Sequence, residues 1–271
     1  MKIAAIVLAV LAALALGGAA FVYSGLYDVS ATDQHLPPTF HAMKKTMERS
    51  VERRAKDIAV PAELGTPAQL ARGLALFRAH CVQCHGAPGV APEPFALSMR
   101  PLPTPLVHSG REREPAYVYW IVKYGLKMTG MPSWEMRMDE GDLWAVVAFV
   151  RKLPSLAPRE YEALRAPPVE IADVAPVGEP DAARGKRALL QYACVACHQI
   201  PGVTGAEVAV GPPLHGIGSR KVIGGVLDNT PDNMARWLMA PREYAPGSAM
   251  PNLGVTSRDA ADMAAYLATL R

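Results

Sequence analysis

CVQCH at residues 81–85 and CVACH at residues 194–198 repeat one pattern of two cysteines followed by a histidine. Cysteines three positions apart lie on one side of a helical turn, so both sulfurs can form thioethers with the two vinyl groups of one haem. The histidine that follows can then bind the iron. C-x-x-C-H is the attachment pattern of a c-type haem, and two copies predict two covalently bound haem c groups.

The predicted attachment residues are Cys81, Cys84 and His85 in the first copy, and Cys194, Cys197 and His198 in the second. The chain has four cysteines, so none remains for a structural disulfide. A structural zinc site would place its cysteine pairs about 15–20 residues apart, whereas Cys84 and Cys194 are more than a hundred residues apart. A thioredoxin-like site needs a strand–helix–strand setting, which the sequence predicts around neither copy.

Length fits two small domains, and the mild charge excludes one class of partner. A chain of 271 residues is long enough for two domains of ordinary size, and the two patterns divide it into halves. The formal net charge of +3 is mild and does not suggest nucleic acid as a partner.

Residues 1–25 form a predicted transmembrane anchor or signal peptide. The run from Ile3 to Val22 has no charged residue and is long enough to cross a bilayer. Small residues at 18–20 are typical of a signal-peptide cleavage site, but signal peptides usually have shorter apolar runs. We favour a retained anchor, with Tyr23 and Tyr27 at the membrane interface. Covalent haem attachment takes place outside the cytoplasm, so we expect a bacterial inner-membrane protein with its haem domains on the periplasmic side.

Residues 26–62 form a predicted basic amphipathic segment next to the membrane, with a helix from Pro37 to Asp57. Two interpretations stay open: a surface for anionic lipid or a partner subunit, and an ordinary solvated charged face. We take His35 and His41 as surface histidines. The basic residues of the helix are Lys44, Lys45, Arg49, Arg53, Arg54 and Lys56.

The first haem domain is predicted at residues 63–156. Residues 66–69, TPAQ, form a capping box that starts a helix running to Cys81. A second helix is predicted from Asp139 to Leu153, with apolar residues at helical spacing. Two terminal helices with a ligand loop between them resemble class I cytochromes c. The predicted fold is therefore all-α, with an N-terminal transmembrane helix followed by two class I cytochrome c domains.

This resemblance implies that a methionine of a Met-Pro pair is the sixth iron ligand. Met131 precedes Pro132 and is the favoured ligand of the first haem. A thioether is a soft, neutral ligand that raises the reduction potential. The competing ligands nearby are Met128, Met136, Met138 and His108.

The second domain is predicted at residues 180–271, after a proline-rich linker at 157–179. It repeats the order of the first domain, with helices predicted at Asp181–Cys194 and Thr256–Leu270. Thr256 and Asp259 form a capping box at the start of the last helix.

The resemblance to class I cytochromes c is closer here and assigns further residues. Pro212, in Gly211-Pro212-Pro213-Leu214, would accept a hydrogen bond from His198 and so fix its ring. Arg220 would reach a haem propionate, and Trp237 would contact a propionate or the haem edge. Met250, before Pro251, would be the sixth ligand. In the first domain, the run RPLP at residues 100–103 is the expected counterpart of the proline loop.

The second domain also resembles the cytochrome domain of subunit II of caa3-type oxidases, although no cysteine remains to bind copper. The resemblance implies electron transfer without a catalytic site, with redox proteins such as a terminal oxidase or a quinol-oxidising complex as partners. No small-molecule substrate is expected. The alternatives are a dihaem peroxidase, in which one iron opens, and the cytochrome subunit of a membrane dehydrogenase.

Overall fold

The computed structural model describes residues 2–110, 112–166, 178–205 and 210–271. These residues are mostly helical, as predicted, and their strands form one two-stranded hairpin. Contacts divide the chain into two compact units. The first comprises Met1–Ile121, Leu126–Met131 and Val146–Arg165, and the second comprises Val122–Gly125, Pro132–Ala145 and Ala166–Arg271.

The helices predicted in the first part of the chain are present as α1, α2, α3 and α8, and five further helices accompany them in the described residues. In chain order the helices are α1 (Lys2–Ser24), α2 (Pro37–Ala55), α3 (Pro67–His80), α4 (Val82–His85), α5 (Pro94–Leu97), α6 (Leu106–Ser109), α7 (Pro115–Tyr124), α8 (Glu140–Lys152) and α9 (Pro158–Ala163). A short 3-10 turn, Leu153–Ser155, follows α8.

Helix α1 is long and apolar enough to cross a bilayer. It has 23 residues, its most apolar window has a mean hydropathy of 2.6, and none of that window is buried in the protein. A signal sequence passes the same test of length and composition.

The core of the first unit lies where α3 meets the second half of α8. The predicted capping box is present, because the Thr66 hydroxyl accepts a hydrogen bond from Gln69 and the Gln69 side chain accepts one from Thr66. Further along α3, the ring of Phe77 packs on Phe149 with 5.5 Å between centroids. Both rings are essentially inaccessible to solvent, so they fix the crossing of the two helices.

The predicted linker begins later than residue 157. Residues 158–163 form α9, which packs on the first unit through the buried ring of Tyr161. Arg78 on α3 donates hydrogen bonds to the carbonyl oxygens of Tyr161 and Leu164. Packing of Tyr161 therefore attaches α9, which lies within the proline-rich stretch, to the first unit. Residues 167–177 of the predicted linker lie outside the described residues.

The second unit contains four more α-helices and the hairpin among its described residues. The helices are α10 (Ala182–Gln191), α11 (Pro231–Met239), α12 (Pro241–Tyr244) and α13 (Ser257–Ala268), and the strands are β1 (Val222–Ile223) and β2 (Leu227–Asp228). The strands pair antiparallel. Two further 3-10 turns span Cys194–Ala196 and Ile217–Ser219.

Helices α10 and α13 cross at a glycine. A Cβ added to Gly185 would lie 1.9 Å from the carbonyl oxygen of Asp262, so only glycine allows this close approach. A buried polar network joins the same helices: the Arg184 guanidinium bridges Asp259 and Asp262, and the Tyr192 hydroxyl donates to Asp259 at 2.7 Å. Burial, followed by the contact with Asp259, raises the pKa of Tyr192 to about 12.

Contacts group residues 122–125 and 132–145 with the second unit. Met136 shows why, because its side chain is buried in the core of the second unit. Its sulfur lies 3.1 Å from a guanidinium nitrogen of Arg184. The first domain at 63–156, which includes these residues, stays a prediction.

Replacing Gly185 by alanine should destabilise the second unit, because the added methyl group would collide with the backbone of α13. Overpacking of this kind costs about 1–3 kcal/mol. The measurement is guanidinium unfolding of the haem-loaded protein by circular dichroism, with Gly247→Ala as control, since a Cβ at Gly247 meets open space. Equal unfolding midpoints for the two variants would contradict the tight crossing.

Candidate haem sites

The first C-x-x-C-H pattern lies where α3 ends and the short helix α4 turns back. The Cys81 amide donates to the carbonyl of Phe77, and the His85 amide donates to the carbonyl of Cys81 at 3.0 Å. Gly86 then takes a φ of 64°, and a Cβ there would lie 2.7 Å from the carbonyl oxygen of Val90. This glycine turns the chain sharply and leaves the His85 ring on the side of the domain that the next loop covers.

The His85 ring is held by a backbone carbonyl. Its Nδ1 lies 2.8 Å from the carbonyl oxygen of Thr104. A carbonyl can only accept, so Nδ1 carries the proton and Nε2 is left to bind iron. Burial lowers the pKa of His85, although the hydrogen bond to Thr104 acts in the opposite direction, and the neutral ring is the form that binds a metal. We expected residues 100–103 to supply this carbonyl; the acceptor is the next residue, Thr104.

The second pattern forms a 3-10 turn in place of a helix. Ala193 has a positive φ of 54° just before it, and the His198 amide donates to the carbonyl of Cys194 at 2.9 Å. The loop that follows is tied to this turn, because the Gly211 amide donates to the carbonyl of Cys197 at 2.8 Å. The attachment turn and the proline loop are therefore one hydrogen-bonded structure.

The His198 ring is fixed on two sides. Its Nδ1 lies 2.8 Å from the carbonyl oxygen of Pro212, the residue that the family resemblance assigned to this role. The ring also lies against Gly211, where an added Cβ would be 2.5 Å from Cε1 of the ring. As in the first site, the hydrogen bond leaves Nε2 for the iron.

The two residues whose carbonyls accept these hydrogen bonds share a local sequence. We did not use this sequence when we predicted residues 100–103 as the counterpart of the proline loop. Thr104 precedes Pro105-Leu106, and Pro212 precedes Pro213-Leu214. The acceptor is thus the residue before a Pro-Leu pair in both domains. This signal would have found Thr104 from the sequence.

The first cysteine of each pattern is poorly suited to thiolate chemistry. Burial raises the pKa of the Cys81 thiol to about 12 and that of the Cys194 thiol to about 11. Redox-active and metal-binding cysteines have lowered pKa values, because the thiolate is the reactive form. The raised thiol pKa values of Cys81 and Cys194 therefore argue against a dithiol redox site.

The two predicted methionine ligands lie in loops of the same construction. The amide of Met131 donates to the hydroxyl of Thr129 at 3.0 Å, and the amide of Met250 donates to the hydroxyl of Ser248 at 3.1 Å. Both methionine side chains are half-buried. A hydroxyl residue two positions before Met-Pro therefore shapes each loop. The pattern Ser/Thr-x-Met-Pro can be found in the sequence at both sites.

The competing methionines of the first domain are placed less favourably. Met128 has a φ of 59° and its side chain is 81% exposed. Met136 and Met138 are buried in the second unit. His108 is exposed on α6. Met131 therefore stays the preferred ligand.

Arg220 and Trp237 both make protein contacts in the second domain. The Arg220 guanidinium donates to the carbonyl oxygens of Pro213 and His215, so it braces the proline loop. Trp237, on α11, packs against Gly224 in the hairpin turn, where an added Cβ would lie 2.3 Å from the indole. Their predicted contacts with a haem propionate or edge stay predictions.

The donor set at each site fits a haem better than a metal held by side chains alone. In the parts of the chain that the structure describes, no three His, Cys, Asp or Glu side chains are grouped to hold a metal ion. Each site instead offers a cysteine pair beside a single oriented imidazole, which suits a haem: the cysteines would attach the porphyrin and the imidazole would bind its iron.

A helix before C-x-x-C-H, a histidine fixed by a backbone carbonyl and a closing helix define a c-type cytochrome domain, and the chain has two. Comparison with known families agrees. Residues 68–150 match the family described as cytochrome c oxidase, cbb3-type, subunit III, and residues 182–271 match cytochrome c. The chain is a dihaem cytochrome c, and the predictions of its class, its all-α fold and its covalent haem are confirmed.

A curated relative is similar to part of this chain. Cytochrome c oxidase subunit 2 of Alkalihalophilus pseudofirmus is 34% identical over 100 residues, which make up 37% of this chain. The matched region spans 28% of that relative's own length. No solved structure matches the chain. The similarity agrees with the predicted resemblance to an oxidase subunit.

Replacing Gly211 by alanine should displace the His198 ring, because the new methyl group would overlap it. We expect the potential of the second haem to change and that haem to become accessible to carbon monoxide. The first haem is the internal control and should keep its potential. A redox titration that resolves the two haems measures both; two unchanged potentials would contradict the packing of the ring on Gly211.

Proposed function

We propose that this chain transfers electrons between membrane redox proteins and has no catalytic site of its own. The observation that carries the proposal is that each domain has both a histidine bound to a backbone carbonyl and a Met-Pro loop shaped by a hydroxyl residue. In the proposal His85 and Met131 would bind one iron, and His198 and Met250 would bind the other. Histidine and methionine together complete the coordination of an iron, so neither domain keeps an open position for a substrate.

The protein residues tune and position the haems in this proposal. Each bound haem supplies an iron that alternates between ferric and ferrous states. His85 and His198 would each bind one iron, and the neutral thioethers of Met131 and Met250 would favour the ferrous state and raise the potential. The four cysteines keep each haem attached while its charge changes.

The proposed location is the bacterial inner membrane, with α1 as the anchor and the haem domains on the periplasmic side. The length and apolarity of α1 support the anchor. An anchored carrier stays close to its partners, which raises its effective concentration. The name of the curated relative and the match to an oxidase subunit family support a terminal oxidase as the acceptor. A quinol-oxidising complex is the alternative redox partner.

The first test is an optical and EPR redox titration of the purified full-length protein, with and without cyanide or carbon monoxide. We expect two low-spin haems with positive potentials, neither of which binds added cyanide or carbon monoxide. A high-spin or ligand-binding haem in the native protein would overturn the proposal and favour a peroxidase-type enzyme.

Replacing Met131 or Met250 by alanine should lower the potential of one haem each and open that haem to cyanide. The physical reason is the loss of the thioether from the sixth coordination position. Met128→Ala is the matched control, because its exposed side chain lies three residues from Met131. The titration described above measures the outcome. A Met131→Ala spectrum identical to that of the control would remove Met131 from the ligand set.

Membership of a complex can be tested by purification. Mild detergent extraction should retain a terminal oxidase with the chain if the two form a lasting complex, and rapid oxidation of the reduced chain by that oxidase should follow. If no oxidase oxidises the reduced protein, the proposed acceptor is wrong.

A further inference from the structure

Helix α2 has two halves with different surroundings. In its second half, Val51 and Ala55 are buried against Tyr117 of α7, with 1% and 5% of their surfaces exposed. The Tyr117 hydroxyl lies 3.6 Å from the sulfur of Met47 on the same stripe. An ion pair of 2.8 Å between Glu48 and Arg113 lies beside this contact. The second half of α2 is therefore part of the first cytochrome domain.

The same apolar stripe continues into the first half of the helix, where the domain does not cover it. Leu36, Phe40 and Met43 precede Met47 at the helical spacing of three and four residues. Their exposed fractions are 61%, 48% and 46%. Three large apolar side chains in one row thus keep a large part of their surface exposed.

The uncovered half is flanked by positive charge. Helix α2 carries five basic and two acidic residues, a net charge of +3. Both acidic side chains already have cationic neighbours, because Glu48 contacts Arg113 and Glu52 contacts Arg49 at 3.1 Å. Lys44 and Lys45, next to Met43, are exposed. An apolar row beside lysines is the pattern of a helix that lies in the surface of an anionic membrane.

The start of α2 is held close to the end of α1. The Tyr27 hydroxyl lies 2.8 Å from Nδ1 of His35, and the Tyr27 ring packs edge-on against Phe21 at 6.4 Å between centroids. These contacts close the connection between Ser24 and Pro37. If α1 spans the bilayer, as in the proposed function on which this step rests, the first half of α2 begins at the height of the lipid headgroups.

We propose that the first half of α2 binds the surface of an anionic bilayer while its second half holds the first cytochrome domain. Phe40 and Met43 enter the boundary between headgroups and acyl chains, and Lys44 and Lys45 contact lipid phosphates. The helix then connects the membrane surface rigidly to the first haem domain, so it fixes the distance between the two.

The test uses the full-length, haem-loaded protein in vesicles. A photo-crosslinking phenylalanine derivative replaces Phe40 in one variant and Asp57 in a second, matched variant whose site is just beyond α2 and 83% exposed. The vesicles contain phosphatidylcholine alone or with phosphatidylglycerol, and lipid adducts are counted by mass spectrometry. We expect adducts at position 40 and few at position 57. Their yield at position 40 should rise with phosphatidylglycerol and fall several-fold when Lys44 and Lys45 are both changed to glutamine.

Two results would overturn the inference while the anchor stands. One is equal lipid adduct yields at positions 40 and 57; the other is crosslinking of position 40 to a second copy of the chain in place of lipid. Extraction of the vesicles with alkaline carbonate separates these results from a failure of the anchor. Release of the protein by carbonate would overturn the membrane location and this inference together.

Discussion

A backbone carbonyl orients the histidine of each C-x-x-C-H pattern, and the chemistry proposed for each domain depends on that contact. Nδ1 of His85 and of His198 each lies 2.8 Å from such an oxygen. This bond sets the tautomer and the plane of the ring, so Nε2 is left to bind an iron. In the second domain the acceptor loop is itself tied to the attachment turn by the bond from Gly211 to Cys197. A shift of the loop would therefore move the ring and change the potential.

Close contact between helices holds these loops in position. In the second unit, α10 and α13 approach so closely at Gly185 that no side chain fits between them. The ion pairs of Arg184 fix how the two helices are aligned, because Arg184 on α10 pairs with Asp259 and Asp262 on α13. Such a network of ion pairs specifies one arrangement, since leaving any of its buried charges unpaired would be costly. Helices α10 and α13 thus have little freedom to shift along one another.

Helix α2 links two environments within one element. Composition alone marks it as basic and amphipathic, which fits a membrane surface and a solvated face equally well. The second half of the apolar stripe is buried against α7 inside the protein. The first half of the stripe is exposed, and it is the part that we propose to bind the membrane. The same side-chain pattern thus serves two contacts, because one stripe runs the length of the helix.

The sequence by itself determined the class of the protein, since thioether attachment needs two cysteines and a histidine at one local spacing. It also determined most helix starts, because caps such as Thr66 and Thr256 act on their own first turn. Thr104 could be read from its Pro-Leu pair, although the expected acceptor was one residue off. Only the tertiary structure assigned residues 132–145 to the second unit and Tyr161 to the first, because these depend on contacts between residues far apart in the chain, which no local pattern encodes.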